Sequence, residues 1–217
     1  MLRIGYDAKR LFNNFTGLGN YSRTLLQDLS EHFPENEYLL FSPKVKKNDR
    51  TKPFFDPSKY TIKTAKGNST FWRSLGIKKD LENNQIQLFH GLSHEIPFGL
   101  QKTKIKSVVT IHDLIFKHYP EQFPFIDRKI YDWKFKYSCE NADRIVAISE
   151  STKKDIIHFY NIPPEKIEVI YQTCDALFKT HKFVENPSDF QQKYQHFYQG
   201  HMCRFVLKIF PYVIFYY

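Results

Sequence analysis

Residues 107–114 read Ser-Val-Val-Thr-Ile-His-Asp-Leu, and residues 142–151 read Ala-Asp-Arg-Ile-Val-Ala-Ile-Ser-Glu-Ser. Each holds a short apolar run that stops at polar residues. Ser107–Ile111 stops at His112-Asp113, and Arg144–Ile148 stops at Ser149. Runs of this length, apolar without strict alternation, suit strands buried on both faces. Between them Ile126, Ile130, Trp133 and Tyr137 step by 4, 3 and 4 residues, which predicts an amphipathic helix. Strand, helix, strand is the repeating unit of a parallel sheet.

The same alternation extends in both directions. Upstream, Leu2–Asp7 predicts a first strand, and a loop holding Gly17-Leu18-Gly19 leads into a helix with Leu18, Tyr21, Leu25, Leu26 and Leu29 on one face. Pro34 closes that helix, and Tyr38–Phe41 is the next buried strand. Pro43, Pro53 and Pro57 mark a surface loop up to Ser58. Trp72, Leu75 and Lys79 are expected on one helix face, followed by a strand over Gln85–Phe89. Downstream, Thr152 with Asp155 predicts a capping box, Asn161–Pro164 a helix stop, and Ile167–Tyr171 a further strand. The fold class expected is therefore α/β, a Rossmann-like parallel sheet with helices on both faces over residues 1–178. Residues 179–217 break the pattern and are expected to be a linker or divergent tail. Their apolar run Phe205–Tyr217 suits a strand of a second domain, an interfacial anchor or a stretch read out of frame.

Composition excludes several classes. At 217 residues with 41% hydrophobic side chains, the chain can build a core, so it is neither disordered nor collagen-like. Cys139, Cys174 and Cys203 are too few and too scattered for a disulfide framework or a Cys-based metal site. No apolar run approaches the ~20 residues of a membrane-spanning helix, and the N-terminus lacks the pattern of a secretory signal. A cytoplasmic protein is expected. The net charge of +9 is concentrated, because Lys44–Lys79 holds eleven Lys and Arg against Asp49 and Asp56. Such an excess suggests an anionic partner at one face, or else a solvated Lys-rich loop.

The candidate chemistry lies at strand ends, where open α/β sheets bind ligands. His90 is expected to follow the strand Gln85–Phe89, His94 lies in the next loop, and His112-Asp113 follows Ser107–Ile111. Their spacing does not make a metal site. Gly17 and Gly19 allow close backbone approach to a phosphate or sugar at a helix N-terminus. They do not complete the dinucleotide pattern, since Ser22 stands where its third glycine belongs.

In order along the chain, these segments resemble family 4 glycosyltransferases of the GT-B fold. The resemblance is carried by Ile4–Ala8, Gly17–Tyr21 with Leu25-Leu26, Leu88–Pro97, Val108–Leu114, Ala142–Ser151 and Ile167–Tyr171. It covers residues 2–178 and implies one half of a GT-B enzyme, which moves a sugar from a nucleotide-sugar donor with retention of configuration. The resemblance further implies that the acceptor binds mainly to this half and the donor mainly to a second one. His112 would contact the transferred sugar as the catalytic position. Gly17, Gly19, Asn20, His90, Asp113 and Ser149 would form the substrate-binding set. No metal or other cofactor is implied, the nucleotide sugar being a substrate.

The resemblance stops at Phe178, and no counterpart of the family's donor-gripping basic pair or paired glutamates follows. The expectation is an acceptor-side half of a hexosyltransferase, inactive or nearly so by itself, with a polysaccharide or lipid-linked acceptor. A lipid-linked acceptor implies a peripheral position at the inner membrane face, with Lys44–Lys79 against anionic lipid and Phe71-Trp72 inserted. The alternative for those aromatics is the core. A non-catalytic module binding a glycan or partner protein is the rival class. Nucleic acid is the least supported partner, since the basic stretch matches no recognition motif.

Overall fold

The computed structural model describes residues 1–65 and 72–173. Seven strands form one sheet in the order β3-β2-β1-β4-β5-β6-β7. They are β1 (Arg3–Asp7), β2 (Glu37–Ser42), β3 (Tyr60–Thr64), β4 (Leu88–Gly91), β5 (Lys106–Ile111), β6 (Arg144–Ala147) and β7 (Ile167–Val169). Every neighbouring pair is parallel, with Ile4 of β1 opposite Tyr38 on one side and Leu88 on the other. The chain works outward from β1 to β3, then returns to β1's other side to lay down β4. That reversal makes the gap beyond the carboxyl ends of β1 and β4 the natural crevice of the fold.

Side-chain alternation splits the sheet into two faces. Ile4, Tyr6, Tyr38, Leu40, His90 and Thr110 share one face, beneath α2 (Gly17–His32). This face is unusually rich in hydroxyls and aromatic rings. Tyr38 donates to the Leu29 carbonyl of α2 at 2.8 Å, and Tyr60 bonds Ser30 of α2 at 2.6 Å. The opposite face carries Leu39, Phe41, Phe89, Val109, Ile111, Ile145 and Ala147. It packs on α3 (Ile77–Asn83), α5 (Phe125–Asn141) and α6 (Glu150–Tyr160) through Leu81, Phe135 and Ile156. Two short helices, α1 (Lys9–Asn13) and α4 (Ile115–His118), follow β1 and β5. The α/β expectation, with helices on both faces, therefore holds.

Several local expectations do not. Gly17 and Gly19 stand in the first turn of α2, not in a loop before it. The strand expected at Gln85–Phe89 begins at Leu88. The amides of Asn84, Gln85 and Ile86 are spent on carbonyls of α3, so they cannot enter the ladder, and His90 falls inside β4. Trp72 and Leu75 do not share a face. Trp72–Gly76 is a π-helical turn, which buries Trp72 in the same core cluster as Ile77 and leaves Leu75 exposed. The cap of α6 is Ser149, whose Oγ accepts from Thr152 N at 3.1 Å, so Thr152 is three residues inside the cap. On α5 the buried side is Phe135, Ser138 and Cys139, and the stripe Ile126, Ile130, Trp133 faces outward. The edge strand β3 was not expected, because only Tyr60 of its five residues is fully buried. The compact unit runs Met1–Ile170. Phe71, Lys66, Cys174, Cys203, the boundary at Phe178 and the tail 179–217 lie outside the described residues.

Candidate functional site at the carboxyl edge of the sheet

His112 is the first residue beyond β5 and is 95% buried, with 5% exposure. Its Nε2 lies 2.9 Å from the Leu92 carbonyl, which can only accept, so Nε2 carries the proton. Burial pushes the pKa of the ring below the ordinary histidine value, the Leu92 bond only partly opposing it, and the imidazole is neutral at pH 7. Tyr21 of α2 meets the ring edge-on at 4.8 Å, and the His94 ring stands 5.1 Å away. The backbone of His112 is also fixed, its carbonyl accepting from Thr152 Oγ1 at 3.0 Å. Ser149 caps α6 and bonds Thr152 Oγ1 at 3.0 Å, so its hydroxyl acts behind His112 through Thr152.

The other expected positions divide by exposure. Asn20 and Gly17 are exposed at the first turn of α2, and Asp113 is exposed beside His112, its Oδ1 accepting from Ile115 N at 3.2 Å. Gly19 is buried under them. A Cβ there would sit 1.7 Å from the Asn14 carbonyl oxygen, while a Cβ at Gly17 meets nothing within 4 Å. Gly19 is thus required by the packing of the helix start against the loop after α1. Asn14 Oδ1 accepts from Gly19 N at 3.0 Å, and Arg23 ties Asn20 Oδ1 (2.6 Å) to the Leu11 carbonyl (2.7 Å). His90 lies inside the sheet, its Nε2 2.9 Å from Thr110 Oγ1, which also bonds Tyr21 at 3.0 Å. Burial, with His112 adding to it, pushes His90 down to about 3.

Sequence reasoning missed a charged chain across the crevice. Asp7 ends β1, and Arg73, on the π-helical turn, donates from Nε to its Oδ2 at 2.6 Å. Arg73 Nη1 also reaches Glu95 at 2.9 Å, and Glu95 in turn pairs with Lys134 of α5 at 3.1 Å. Burial opposes the charge on Arg73, but Asp7 and Glu95 more than offset it and hold its pKa above the ordinary value. Burial likewise opposes the Glu95 carboxylate, which Arg73 and Lys134 keep below its ordinary range. Lys9 borders the group, its pKa lowered by burial and then by Arg73 and Arg10. The available signal was Asp7, an acid at the carboxyl end of a strand; Arg73 falls in the basic stretch Lys44–Lys79, whose reading was an anionic partner or a solvated loop. His94 belongs to the strand-end histidines singled out by the sequence, although not to the expected binding set. It adopts φ 63° and lies flat on Phe135 at 4.3 Å and 3°, with Nδ1 buried and unbonded. Burial first, and then His112, pushes it well below its ordinary value.

The crevice is therefore backed by buried neutral imidazoles, with Gly17, Asn20 and Asp113 exposed at its edge and Arg73 balanced by Asp7 and Glu95. Such a surface can hydrogen-bond hydroxyls without taking up protons. Among the described residues no group of three or more His, Cys, Asp or Glu is arranged to hold a metal ion. Among them, too, no helix is long and apolar enough to cross a membrane.

Known proteins share this fold. A model of Glycosyltransferase Family 4 matches residues 16–176. The O-antigen chain mannosyltransferase RfbU of Salmonella typhimurium is 27% identical over 124 residues, which cover 57% of this chain and 30% of that protein. A glycosyltransferase from Rickettsia africae matches with a TM-score of 0.51 and 14% identity, over 90% of this chain and 49% of the other. Anabaena Alr3699/HepE, solved in complex with UDP and glucose, matches with a TM-score of 0.51 and 13% identity, over 91% and 50%. At such identities the two solved structures establish the fold alone. The chain spans 30% of the length of the mannosyltransferase and about half of each solved protein.

Proposed function

The chain belongs to Glycosyltransferase Family 4, and from that premise we propose that it is the acceptor-side half of a retaining hexosyltransferase. Its acceptor is a polysaccharide or a lipid-linked glycan, and its donor a nucleotide sugar held mainly by a second domain. The supporting observation is His112, neutral and fixed at the carboxyl end of β5 beside the start of α2. A neutral imidazole hydrogen-bonds a sugar hydroxyl without competing for its proton. In this reading Gly17, Asn20 and Asp113 face the sugars, while Gly19, His90 and Ser149 hold the backbone and rings behind them. The leaving diphosphate needs electrostatic stabilisation, the largest contribution expected in such a transfer, and the second domain supplies it. No metal takes part. The enzyme works on the cytoplasmic side, peripheral to the membrane that carries its acceptor.

The reading is tested by release of nucleoside diphosphate from a panel of nucleotide sugars, together with glycan binding followed by NMR. The 217-residue chain is expected to bind acceptor glycan with little or no release. Joined to a donor-binding domain, it should release diphosphate only when acceptor is present. Glycan binding with no release in either form supports the rival reading, a non-catalytic binding module. Clear turnover by the 217-residue chain overturns the half-enzyme reading.

A further inference from the structure

The spacing of Ile126, Ile130 and Trp133 is that of a core stripe, yet these side chains are 71%, 44% and 59% exposed. Phe125, at the start of α5, is 63% exposed. An apolar ridge along one helix is not an accident of a few scattered surface residues; contiguous apolar patches mark interaction sites. The ridge is convex, which suits a broad soft surface better than a peptide.

Its flanks identify the surface. The Lys129 ammonium and the Arg128 guanidinium lie over the Phe125 ring at 5.6 and 5.4 Å, and Lys136 follows two turns after Lys129 on the same flank. Asp132 is drawn off toward Lys117, and Glu140 is 3.8 Å from Lys136, which leaves exposed Asp127 as the acid at the helix start. Aliphatic and aromatic side chains along a ridge, with long cations beside them, are the pattern of a helix lying in a membrane interface. The cations reach headgroup phosphates while their stems cover apolar surface.

We propose that the outer ridge of α5, from Phe125 to Trp133, docks on an anionic lipid bilayer. This moves the membrane contact away from Lys44–Lys79, where Trp72 is buried and Arg73 is committed to Asp7 and Glu95. The inner side of the same helix carries Phe135, stacked on His94, and Lys134, paired with Glu95. A helix is about 10–12 Å across with its side chains, so docking brings the crevice within one helix diameter of the headgroups. That this serves a lipid-linked acceptor rests on the function proposed above; the docking itself does not.

The two tryptophans make the test direct, because Trp72 is buried and Trp133 is exposed. Vesicles of brominated phosphatidylcholine, with and without brominated phosphatidylglycerol, are added to the full chain at low salt. Quenching by the anionic vesicles, reversed by salt, is the expected result. Ile126→Ser with Ile130→Ser, both on the surface, should weaken binding at least about tenfold, or about 1.4 kcal/mol. Lys129→Glu with Lys136→Glu should do the same. Joined to a donor-binding domain, the double serine variant should release nucleoside diphosphate from the donor, with a soluble acceptor present, as well as its joined parent does, which separates failed docking from failed transfer. Quenching that is absent, or unchanged by both double variants, overturns the proposal. Acrylamide failing to quench Trp133 without vesicles also overturns it, since another segment or a second copy would then cover the ridge.

Discussion

Asp7 and Arg73, 66 positions apart, meet at the carboxyl edge of the sheet, with Arg73 Nε 2.6 Å and Nη2 2.5 Å from Asp7 Oδ2. Their side chains are 4% and 11% exposed, so the pair works in a low-dielectric setting where an unmatched charge is costly. Arg73 also reaches Ser93 Oγ at 3.3 Å. One guanidinium therefore joins the end of β1, the π-helical turn and the loop after β4. It fixes the crevice at the place where the strand order reverses.

Removing one partner should be expensive. Asp7→Ala is expected to lower stability by about 3–5 kcal/mol, the usual cost of stranding a buried charge, measured by urea unfolding. Asp7→Asn with Arg73→Met should recover part of that loss. If Asp7→Ala costs less than about 1 kcal/mol, the pair behaves like an exposed one and does not hold the crevice.

The two glycines of α2 should respond in opposite ways. Ala at Gly19 places its Cβ 1.7 Å from the Asn14 carbonyl oxygen, a backbone atom that cannot move without displacing the loop after α1. The expected loss is at least about 1–3 kcal/mol, the range for overpacking. Ala at Gly17 meets nothing within 4 Å and should be neutral or stabilise by up to about 1 kcal/mol through helix propensity. Thermal unfolding of the two variants side by side checks both. Equal destabilisation would remove the distinction between a glycine set by packing and one set by access.

The sheet was legible in the sequence because each central strand is a short run stopped by polar residues, as in Ser107–Ile111 before His112. What failed were signals that local pattern cannot carry. Spacing alone cannot tell which stripe of α5 turns inward, since Phe135 and Cys139 compete with Ile130 and Trp133 for the same core. The π-helical turn shifts the repeat to five residues between Trp72 and Ile77, outside any α-helical template. The place of His112 and Asp113 at the sheet's carboxyl edge was legible because they follow a strand whose end is well marked. Asp7, Arg73 and Glu95 were not, because a buried ion-pair chain joins residues that no local spacing relates.

Stability should fall on mild acidification. His90 has its folded-state pKa pushed down to about 3 by burial, with a further contribution from His112. An unfolded histidine titrates near about 6.5, so as pH falls the unfolded chain takes the proton first. Stability is therefore full above about pH 6.5 and is lost progressively down to about pH 3, at about 1.4 kcal/mol per pH unit for each such ring. His94 and His112 shift in the same direction and steepen the loss. Urea unfolding between about pH 7 and about pH 5 measures the slope, and His90→Gln should flatten it by one proton. An unchanged slope in that variant would mean that His90 is already solvated.

His112→Ala should cut glycosyl transfer by about tenfold to a thousandfold in a protein that carries the donor-binding domain, the span of a lost transition-state hydrogen bond. The substitution also strips the Leu92 carbonyl of its partner at 2.9 Å, so a fall in rate alone would not separate contact from scaffold. Stability and acceptor KM make the separation. A lost sugar contact lowers kcat while the acceptor KM and the urea midpoint change little. A purely structural His112 would lower the midpoint and spare kcat wherever the protein remains folded. Because burial holds the ring below its ordinary pKa, the parent rate should also stay flat through neutral pH. A near-parental kcat in His112→Ala would remove the residue from the chemistry and leave it as an anchor for the loop after β4.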